Sequence, residues 1–300
     1  MPGGTVSTQL TAEEITGSGE VFDYYAKKMA DVMRKYGPGP RVHFHLGLFP
    51  ADAVPNTSVP RETLRQRLVE AQENMLDFAA DVWGVAASPP RRILDVGCGL
   101  GGGSIYWAQR FGSAVTAVTN MPGDVPLVKE LVARAEMSHL VEPLLMDAHD
   151  MDLPMRHNAA VAFESVCHMD RRRVFPAVAR ALERGGWFAL EDHFLLRGEW
   201  AGTIDGYYRT NLGSVQEYQD IAASCGFVLE HNTDITDQVV EFWVQSMAWT
   251  ASELDHAYAT QQWSLPERRL TDSAVAHGRF FRAWRDRAVE TRLLLFRLRG

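Results

Sequence analysis

The stretch RRILDVGCGLGGGSIYWAQRF, residues 91–111, decides the fold of this 300-residue chain. An apolar run, ILDV, leads into Gly97, Gly99 and Gly102, and a segment with helical spacing comes next. This order predicts a strand, a tight turn and a helix, with the turn's backbone close to a ligand because glycine has no Cβ atom. Such a turn can hold a dinucleotide, a phosphate or another adenosine compound, so the flanking residues must distinguish among these ligands.

Apolar strands alternate with helices after this turn. Alternation of this kind predicts an α/β fold with a doubly wound parallel sheet and helices on both faces. Two helices precede the turn, one over residues 20–35 and one from Pro60 to Gly84. The predicted strands are ILDV, AVTAV, VEPLLM, AAVAF, WFALED, FVLEH and TRLLLFRL, with helices beginning near Gly102, Val125, Arg171 and Ser214.

The pattern divides the chain into three predicted parts. Residues 1–85 form a helical cap or lid, residues 86–236 a ligand-binding core, and residues 237–300 an aromatic-rich helical region with the last strand. The sequence Gly37-Pro38-Gly39-Pro40 ends the first helix and separates it from the rest of the chain, as a helix-breaking stretch does.

Bulk composition excludes several classes of protein. A hydrophobic fraction of 46% and a charged fraction of 23% are typical of globular chains. The net charge of −8 disfavours nucleic acid as a partner. No apolar run approaches the ~20 residues that would insert into a membrane, and no signal peptide is recognisable, so a cytoplasmic location is expected. Three cysteines form neither a disulfide framework nor a zinc site, and a homo-oligomer is left open.

The residues around the glycines narrow the choice of ligand. A dinucleotide site needs an acid about 20 residues on, at the end of the second strand, where this chain has Thr119 and Asn120. Asp95 instead lies two residues before the first glycine, and a carboxylate there favours a ligand that carries an ammonium and a sulfonium. Asp147 and Ala148 come after the third strand and could contact an adenine edge. These residues predict a site at the carboxyl ends of the strands.

Four motifs in order, ILDVGCGLGG, DAHDMDLP, ESVCHMD and LERGGWFALED, resemble those of class I S-adenosylmethionine-dependent methyltransferases. The resemblance covers residues 20–236. It implies a Rossmann-like sheet of seven strands with an antiparallel last strand, an N-terminal helical cap, a lid insertion after the fifth strand, and S-adenosylmethionine as the cofactor. The missing acid departs from the broad family, so the ribose contact is assigned to Thr119 and Asn120, with Gln72 nearby.

A narrower resemblance lies in HFHLGLF, residues 43–49, and in the VEAQENML helix. Both are similar to small-molecule methyltransferases of the sterol, tocopherol and geranyl diphosphate type. The likeness implies methyl transfer to carbon of a small apolar acceptor, with a prenyl or terpenoid alkene as first choice and cyclisation of the resulting cation as a further step. The alternatives are a natural-product O- or N-methyltransferase and a protein of this fold that cyclises or binds without transferring methyl. An oxidoreductase is disfavoured by the missing acid.

Five aromatic or ionisable residues are candidates for catalytic or cofactor-covering roles near the transferred methyl. Glu164 ends the fourth strand and His168 lies just after it, so either could serve as a base or stabilise a cation. Tyr207 lies in the predicted lid and is the third catalytic candidate. Tyr24 and Tyr25 could close over the methionine end of the cofactor, with simple helix packing as the alternative.

Two further features have competing interpretations. His43 and His45 alternate and point to one face of an extended segment. Their spacing relative to Asp147 matches no zinc pattern, so no metal is assigned, although Mg²⁺ bound jointly with a diphosphate substrate stays open. His45 is expected to form a wall of the acceptor site. Aromatic residues of the tail either fill the core or line an apolar site whose faces stabilise a cation: Trp243, Trp249, Trp263 and Trp284.

Overall fold

A computed structural model describes residues 19–50, 52 and 54–300, and within the first helix it describes side chains from residue 28 onward. Among these residues a single sheet has seven strands, which are β1 (Arg92–Val96), β2 (Ala114–Thr119), β3 (Val141–Leu145), β4 (His157–Phe163), β5 (Leu182–Leu195), β6 (Phe227–Asp234) and β7 (Val289–Leu298). Their spatial order is β3-β2-β1-β4-β5-β7-β6. Strand β7 runs antiparallel to β5 and β6, and the other pairings are parallel. The predicted fold is confirmed.

Helices cover both faces of the sheet. Ile93 and Leu94, successive residues of β1, belong to two different hydrophobic clusters because side chains alternate across a strand. The described helices are α1 (Gly19–Tyr36), α2 (Arg61–Val82), α3 (Gly102–Phe111), α4 (Asp124–Arg134), α5 (Arg171–Ala181), α6 (Ala201–Tyr208), α7 (Val215–Ser224), α8 (Thr236–Thr260) and α9 (Glu267–Arg285). None of these helices has the length and apolar character needed to cross a membrane.

The long pairing of β5 with β7 joins the tail to the rest of the fold. Strand β5 extends beyond the predicted WFALED, because β7 pairs with it from Trp187 to Leu195. Residues 237–300 therefore supply a strand between β5 and β6 as well as the helices α8 and α9. The division of the chain into three parts stays a prediction. The parallel pairing of β5 with β4 places their carboxyl ends side by side, and Glu164 comes directly after the last residue of β4.

Candidate functional site

The predicted cofactor residues meet around one cavity of about 160 Å³ at the carboxyl ends of β1 to β4. Residues that follow each of these four strands line it, as the topology of a doubly wound sheet requires. The predicted residues that line this cofactor cavity are Asp95, Gly97, Gly99, Thr119, Asn120, Asp147 and Ala148.

Two glycines of the turn serve different purposes. Gly97 has φ +78°, and a Cβ atom there would lie 2.6 Å from the Cβ of Ser165, so the turn could not approach β4 with a larger residue. Gly99 has φ +52°, and a Cβ atom there would meet no heavy atom within 4 Å. Because Gly99 lines the cavity, this open space is where a ligand can approach the backbone closely.

Asp95 is the buried acid of the cofactor cavity. Its Oδ2 atom accepts a hydrogen bond of 2.5 Å from the hydroxyl of Ser104 in α3. Burial raises the pKa of Asp95 to about 6, and the hydrogen bond from Ser104 only partly opposes this effect. A cationic ligand would favour the ionised carboxylate, so Asp95 suits an ammonium or sulfonium neighbour.

The carboxylate of Asp147 is hydrogen-bonded within the turn that follows β3. It accepts hydrogen bonds from the backbone N–H of His149 at 2.9 Å and from the Nδ1 atom of His149 at 2.7 Å. The Nε2 atom of His149 accepts from the backbone N–H of Asp170, which leaves the ring proton on Nδ1. The hydrogen bond from His149 lowers the pKa of Asp147, even though burial opposes the shift. Contact of Asp147 with adenine stays a prediction.

Asp124 supplies an acid that the strand pattern lacks. It opens α4, five residues beyond Thr119, and lines the cofactor cavity with only 4% of its surface exposed. Burial raises the pKa of its carboxyl to about 7. The end of β2 has no acidic residue, but the sequence TNMPGD that follows it ends in Asp124, whose side chain lines the cavity. Asp124 is therefore a better ribose candidate than the strand end alone provides.

The assignment of Gln72 to the ribose is corrected by the structure. Gln72 is fully buried in α2 and is not among the residues that line the cofactor cavity. Its Nε2 atom donates to the backbone carbonyls of His45 at 2.7 Å and His43 at 3.3 Å. Gln72 thus holds the HFHLGLF segment in place, and this segment borders the site.

A second cavity, of about 340 Å³, lies beside the first and is bordered by residues of α1, α6, α8 and α9. We refer to it as the acceptor cavity. Four residues line both cavities, so the two meet there: Phe44, His45, Glu164 and His168. Aromatic side chains form much of the remaining wall, including Tyr36, Tyr207, Tyr208, Phe242, Trp243 and Trp249.

Glu164 is held in place at this junction. It has φ +44°, a strained conformation for a residue with a side chain. Its Oε1 atom accepts a hydrogen bond from the backbone N–H of Leu46 and lies 3.3 Å from Nε2 of His193. Burial alone would raise the pKa of Glu164, but the charge and hydrogen bond of His193, with His45 and Leu46, bring it below the usual value. The carboxylate is therefore ionised.

His193 is a site residue that sequence reasoning missed. Its Nδ1 atom lies 3.0 Å from the hydroxyl oxygen of Thr291, which also accepts from Trp284 Nε1 at 2.8 Å. Burial would lower the pKa of His193, but the charge of Glu164 and the hydrogen bond to it raise it above the ordinary value. The available signal was the charged run Glu-Asp-His at the end of an otherwise apolar strand, residues 191–193.

Glu191 completes a small ionisable cluster with these two residues. Potential ligand atoms of Glu164, Glu191 and His193 all lie within 4.8 Å of one another, so the described residues could hold a metal here. Burial, together with the charges of Glu164 and Asp192, raises the pKa of Glu191 well above its usual value. With Glu191 neutral, the imidazolium of His193 already balances the carboxylate of Glu164.

The histidines considered for a metal have other partners. Nε2 of His43 lies 2.9 Å from a carboxylate oxygen of Glu73, and Nδ1 of His45 lies 2.7 Å from the carbonyl of Leu46. Burial, reinforced by His43, lowers the pKa of His45 to about 4. His45 is therefore a neutral wall of both cavities, and the predicted acceptor-wall position is where the structure places it.

The remaining catalytic candidates line the acceptor cavity. Nδ1 of His168 lies 3.3 Å from the carbonyl of Arg209, and burial lowers the pKa of its imidazole. The ring of Tyr207 packs 5.1 Å from that of Phe280. Their catalytic roles stay predictions. Tyr24 and Tyr25 belong to α1, but their side chains lie outside the described part of the chain.

Only two of the four tail tryptophans line the acceptor cavity, which corrects the expectation for the group. Trp243 and Trp249 of α8 form part of its wall. Trp284 is fully buried behind it, and Trp263 is 39% exposed and contacts Tyr258. Helical spacing identified the aromatic residues but not the direction in which each one points.

Comparisons with known proteins agree with this geometry. Residues 94–190 match the family described as methyltransferase domain. The chain is 26% identical over 243 residues to the O-methyltransferase resE of Aspergillus sclerotiorum, covering 78% of this chain and 83% of that protein. It is 24% identical over 213 residues to the geranyl diphosphate 2-C-methyltransferase of Streptomyces coelicolor, covering 67% and 72%. A polyketide synthase, ThaQ of Burkholderia thailandensis, matches 50% of this chain at 30% identity, but this chain spans only 7% of it.

The fold has close counterparts among solved structures. The geranyl diphosphate C-methyltransferase of Streptomyces coelicolor A3(2), solved with Mg²⁺, geranyl-S-thiolodiphosphate and S-adenosyl-L-homocysteine, superposes with a TM-score of 0.76. The two share 19% sequence identity over 93% of this chain and 96% of that chain. At this identity the likeness concerns the fold.

Proposed function

We propose that this chain, an S-adenosylmethionine-dependent methyltransferase of the natural-product type, methylates a carbon atom of a small apolar acceptor, with a prenyl or terpenoid alkene as the best candidate. When bound, the cofactor supplies an electrophilic methyl group on a sulfonium. The cofactor cavity fits it through the open face of Gly99 and the buried acids Asp95 and Asp124. The acceptor reaches the methyl at the junction of the two cavities.

The observation that carries the choice of carbon is the weakness of the bases at this junction. Glu164, His45 and His168 all have a pKa below their ordinary values. A hydroxyl or ammonium acceptor needs a base whose pKa lies near the working pH, and these three groups are poorly matched to that task. The pKa of His193 is raised, but its two ring nitrogens are engaged by Glu164 and Thr291. An alkene needs no deprotonation before it attacks.

The same weak bases are sufficient for the proton loss that completes attack by an alkene. The alkene π electrons form the new C–C bond as the C–S bond breaks, and the acceptor is left as a carbocation. A C–H bond next to such a cation is strongly acidic, so the carboxylate of Glu164 can take this proton and leave a new alkene. Internal attack by another double bond would instead close a ring before the proton is lost. Glu164 also stabilises the cation electrostatically until either outcome.

The wall of the acceptor cavity supports this proposal. The acceptor cavity that Glu164 faces is also lined by the aromatic side chains of Trp243, Tyr207 and Tyr208. Such faces attract a cation, and an apolar wall excludes the water that would quench it. Helix α1 and Tyr207 of α6 close this space, in line with a lid role for the N-terminal part of the chain.

Acceptors that carry both an alkene and an O–H or N–H group test the proposal directly, because either site could take the methyl. Prenylated phenols and prenylated indoles, together with sterols and prenyl diphosphates, would be incubated with methyl-labelled cofactor, and the products analysed by mass spectrometry and NMR. We expect the label on a former alkene carbon. Label on oxygen or nitrogen of the same molecule would replace the proposal with an O- or N-methyltransferase. Conversion without label would identify a cyclase of this fold.

A further inference from the structure

A buried lysine lies in the acceptor cavity on the side of helices α1 and α8. Lys35 of α1 is 9% exposed, and its Nζ atom lies 3.1 Å from the hydroxyl of Ser246 in α8. Three aromatic rings surround the ammonium, with centroids 5.1 Å (Tyr36), 5.4 Å (Trp249) and 5.9 Å (Phe242) away. Lysine is rarely buried to this degree unless it is paired. Lys35 is nevertheless in none of the ion pairs found among the described residues.

The other charges near Lys35 are already balanced. On its own helix, Arg34 pairs with Glu253 of α8, and Asp31 lies 2.6 Å from Arg269 of α9. Glu253 also lies 2.8 Å from Arg61.

From α9, His277 faces the same cavity and Asp272 lies at its edge. Asp272 lies 3.1 Å from Arg268 at the surface. His277 is 8% exposed, its Nδ1 atom has no hydrogen-bond partner, and burial with the charges of Lys35 and Lys28 lowers its pKa well below the ordinary value. Lys28 lies 5.2 Å from the ring centroid of Tyr207. Among the described residues, the surroundings of Lys35 thus supply positive charge and hydrogen-bond donors, and the carboxylates there are already paired.

We propose that this end of the acceptor cavity binds a single carboxylate of the acceptor, through the Lys35 ammonium and the Ser246 hydroxyl. The reacting carbon then lies at Glu164, which faces the same cavity. The inference rests on the proposed function for the reaction, and adds the chemical class of the acceptor: an apolar chain or ring system with an acid group at the end remote from the methylated carbon.

The number of available cations argues for a carboxylate over a diphosphate. A diphosphate carries several negative charges and is usually met by several cations or by Mg²⁺. Here Arg34 and Arg269 are already engaged by Glu253 and Asp31, and Lys28 lies over the ring of Tyr207, so Lys35 is the cation of the described residues that can meet one charge beside Ser246.

Proton uptake on binding is a consequence of the burial of Lys35. Burial, with the charges of Lys28 and Arg34, lowers its pKa to about 7, so most of the free protein holds a neutral amine at pH 8. A bound carboxylate favours the ammonium and raises this pKa. Binding of an acid at pH 8 should therefore take up close to one proton, whereas binding of a neutral analogue should take up none.

Three probes with the same hydrocarbon chain test the proposal. Geranic acid, geraniol and geranyl diphosphate would be titrated calorimetrically at pH 8 into protein saturated with S-adenosyl-L-homocysteine, in two buffers of different ionisation enthalpy. We expect geranic acid to bind about tenfold more tightly than either analogue, the size of one charge-assisted hydrogen bond. In the variant K35M this preference and the proton uptake should disappear. The variant K129M, at the exposed lysine of α4, serves as the matched control and should behave as the original chain.

Folding of K35M is checked by thermal unfolding. Removal of a buried amine that has no carboxylate partner among the described residues should leave the midpoint unchanged or raise it. Tighter binding of geranyl diphosphate, equal binding of acid and alcohol, or an unchanged preference in K35M would each overturn the proposal. Because no step of this experiment involves methyl transfer, a failure of the C-methylation proposal would leave its outcome readable, and the reverse also holds.

Discussion

The Nε2 atom of His193 lies 3.3 Å from the Oε1 atom of Glu164, and this contact joins the carboxyl ends of β5 and β4. The backbone N–H of Leu46 donates to the same Oε1 atom. One oxygen of the carboxylate is therefore held by the protein on two sides at the point where the two cavities meet. The position and the ionisation of Glu164 are thus set by the same two contacts.

Replacement of Glu164 with glutamine keeps the shape of the side chain and removes its charge. If the carboxylate takes the proton from the cation, turnover should fall about 100-fold or more, with little change in cofactor affinity. Turnover is measured with labelled cofactor, and affinity by calorimetry. Glu130→Gln on the exposed face of α4 is the control. Near-normal turnover in the Glu164 variant would return this residue to a structural role.

Replacement of His193 with glutamine should change the pH dependence of turnover. The imidazolium holds the pKa of Glu164 below its usual value against the effect of burial. Without it burial dominates, the pKa of Glu164 rises, and the carboxylate becomes protonated at a higher pH. The acidic limb of the kcat profile should therefore move to higher pH. An unmoved limb would show that His193 does not set the ionisation of Glu164.

Replacement of Gly99 with valine should weaken cofactor binding about tenfold or more, because the side chain would occupy the open space where the ligand approaches. Gly112 ends α3 with a similar positive φ of +68° and also has open space around its Cβ position. Gly112→Val thus imposes similar backbone strain away from the cavity. Equal losses of cofactor affinity in the two variants, measured by calorimetry, would contradict the assignment of Gly99.

Replacement of Asp124 with asparagine tests whether the carboxylate of Asp124 binds the ribose of the cofactor. If its carboxylate accepts a hydrogen bond from the ribose, cofactor affinity in the original chain should rise as the pH increases through about 7, the pKa of this group. The variant should lose about tenfold in affinity at pH 8 and lose this rise. A rise that persists unchanged in Asp124→Asn would assign the titration to another group.

Replacement of Trp243, which lines the acceptor cavity, with leucine should lower turnover about tenfold or more, or divert product toward water-quenched and isomeric alkenes, since a cation–π contact contributes about 2 kcal/mol when desolvated. Cofactor affinity should stay the same. Trp263 is partly exposed and does not line the cavity, so Trp263→Leu is the matched control. Products are identified by mass spectrometry and NMR. Equal effects of the two changes would remove the aromatic wall from the mechanism.

The order of strands and helices could be predicted from the sequence because its signals are local. Glycine spacing and apolar periodicity identify the turn at Gly97 and the sheet around it without any knowledge of distant contacts. The same local reasoning placed Asp95 and Glu164 at strand ends, where the topology brings both into one site. Residues on strand ends of a parallel sheet are predictable in this way because all such ends share one edge.

Contacts between remote segments were not predictable. Gln72 bonds to carbonyls 27 and 29 residues away, so no local pattern distinguishes it from a ligand-binding residue. His193 is hydrogen-bonded to Thr291 of β7, which lies 98 residues further along the chain. Trp249 lies on α8 and faces the cavity, whereas Trp263 follows the end of that helix; the packing of α8 against α2 and α9, which sets the face that α8 presents, joins segments remote in the chain.

The segment from Phe44 to Leu46 separates the two cavities and belongs to both. Gln72 donates a hydrogen bond to the carbonyl of His45, and the backbone N–H of Leu46 donates to the carboxylate of Glu164. Since Phe44 and His45 line each cavity, any ligand that stabilises their position on one side prepares the other side as well. Cofactor and acceptor thus share a wall, and any change that one of them makes in the affinity for the other must be returned by the same factor.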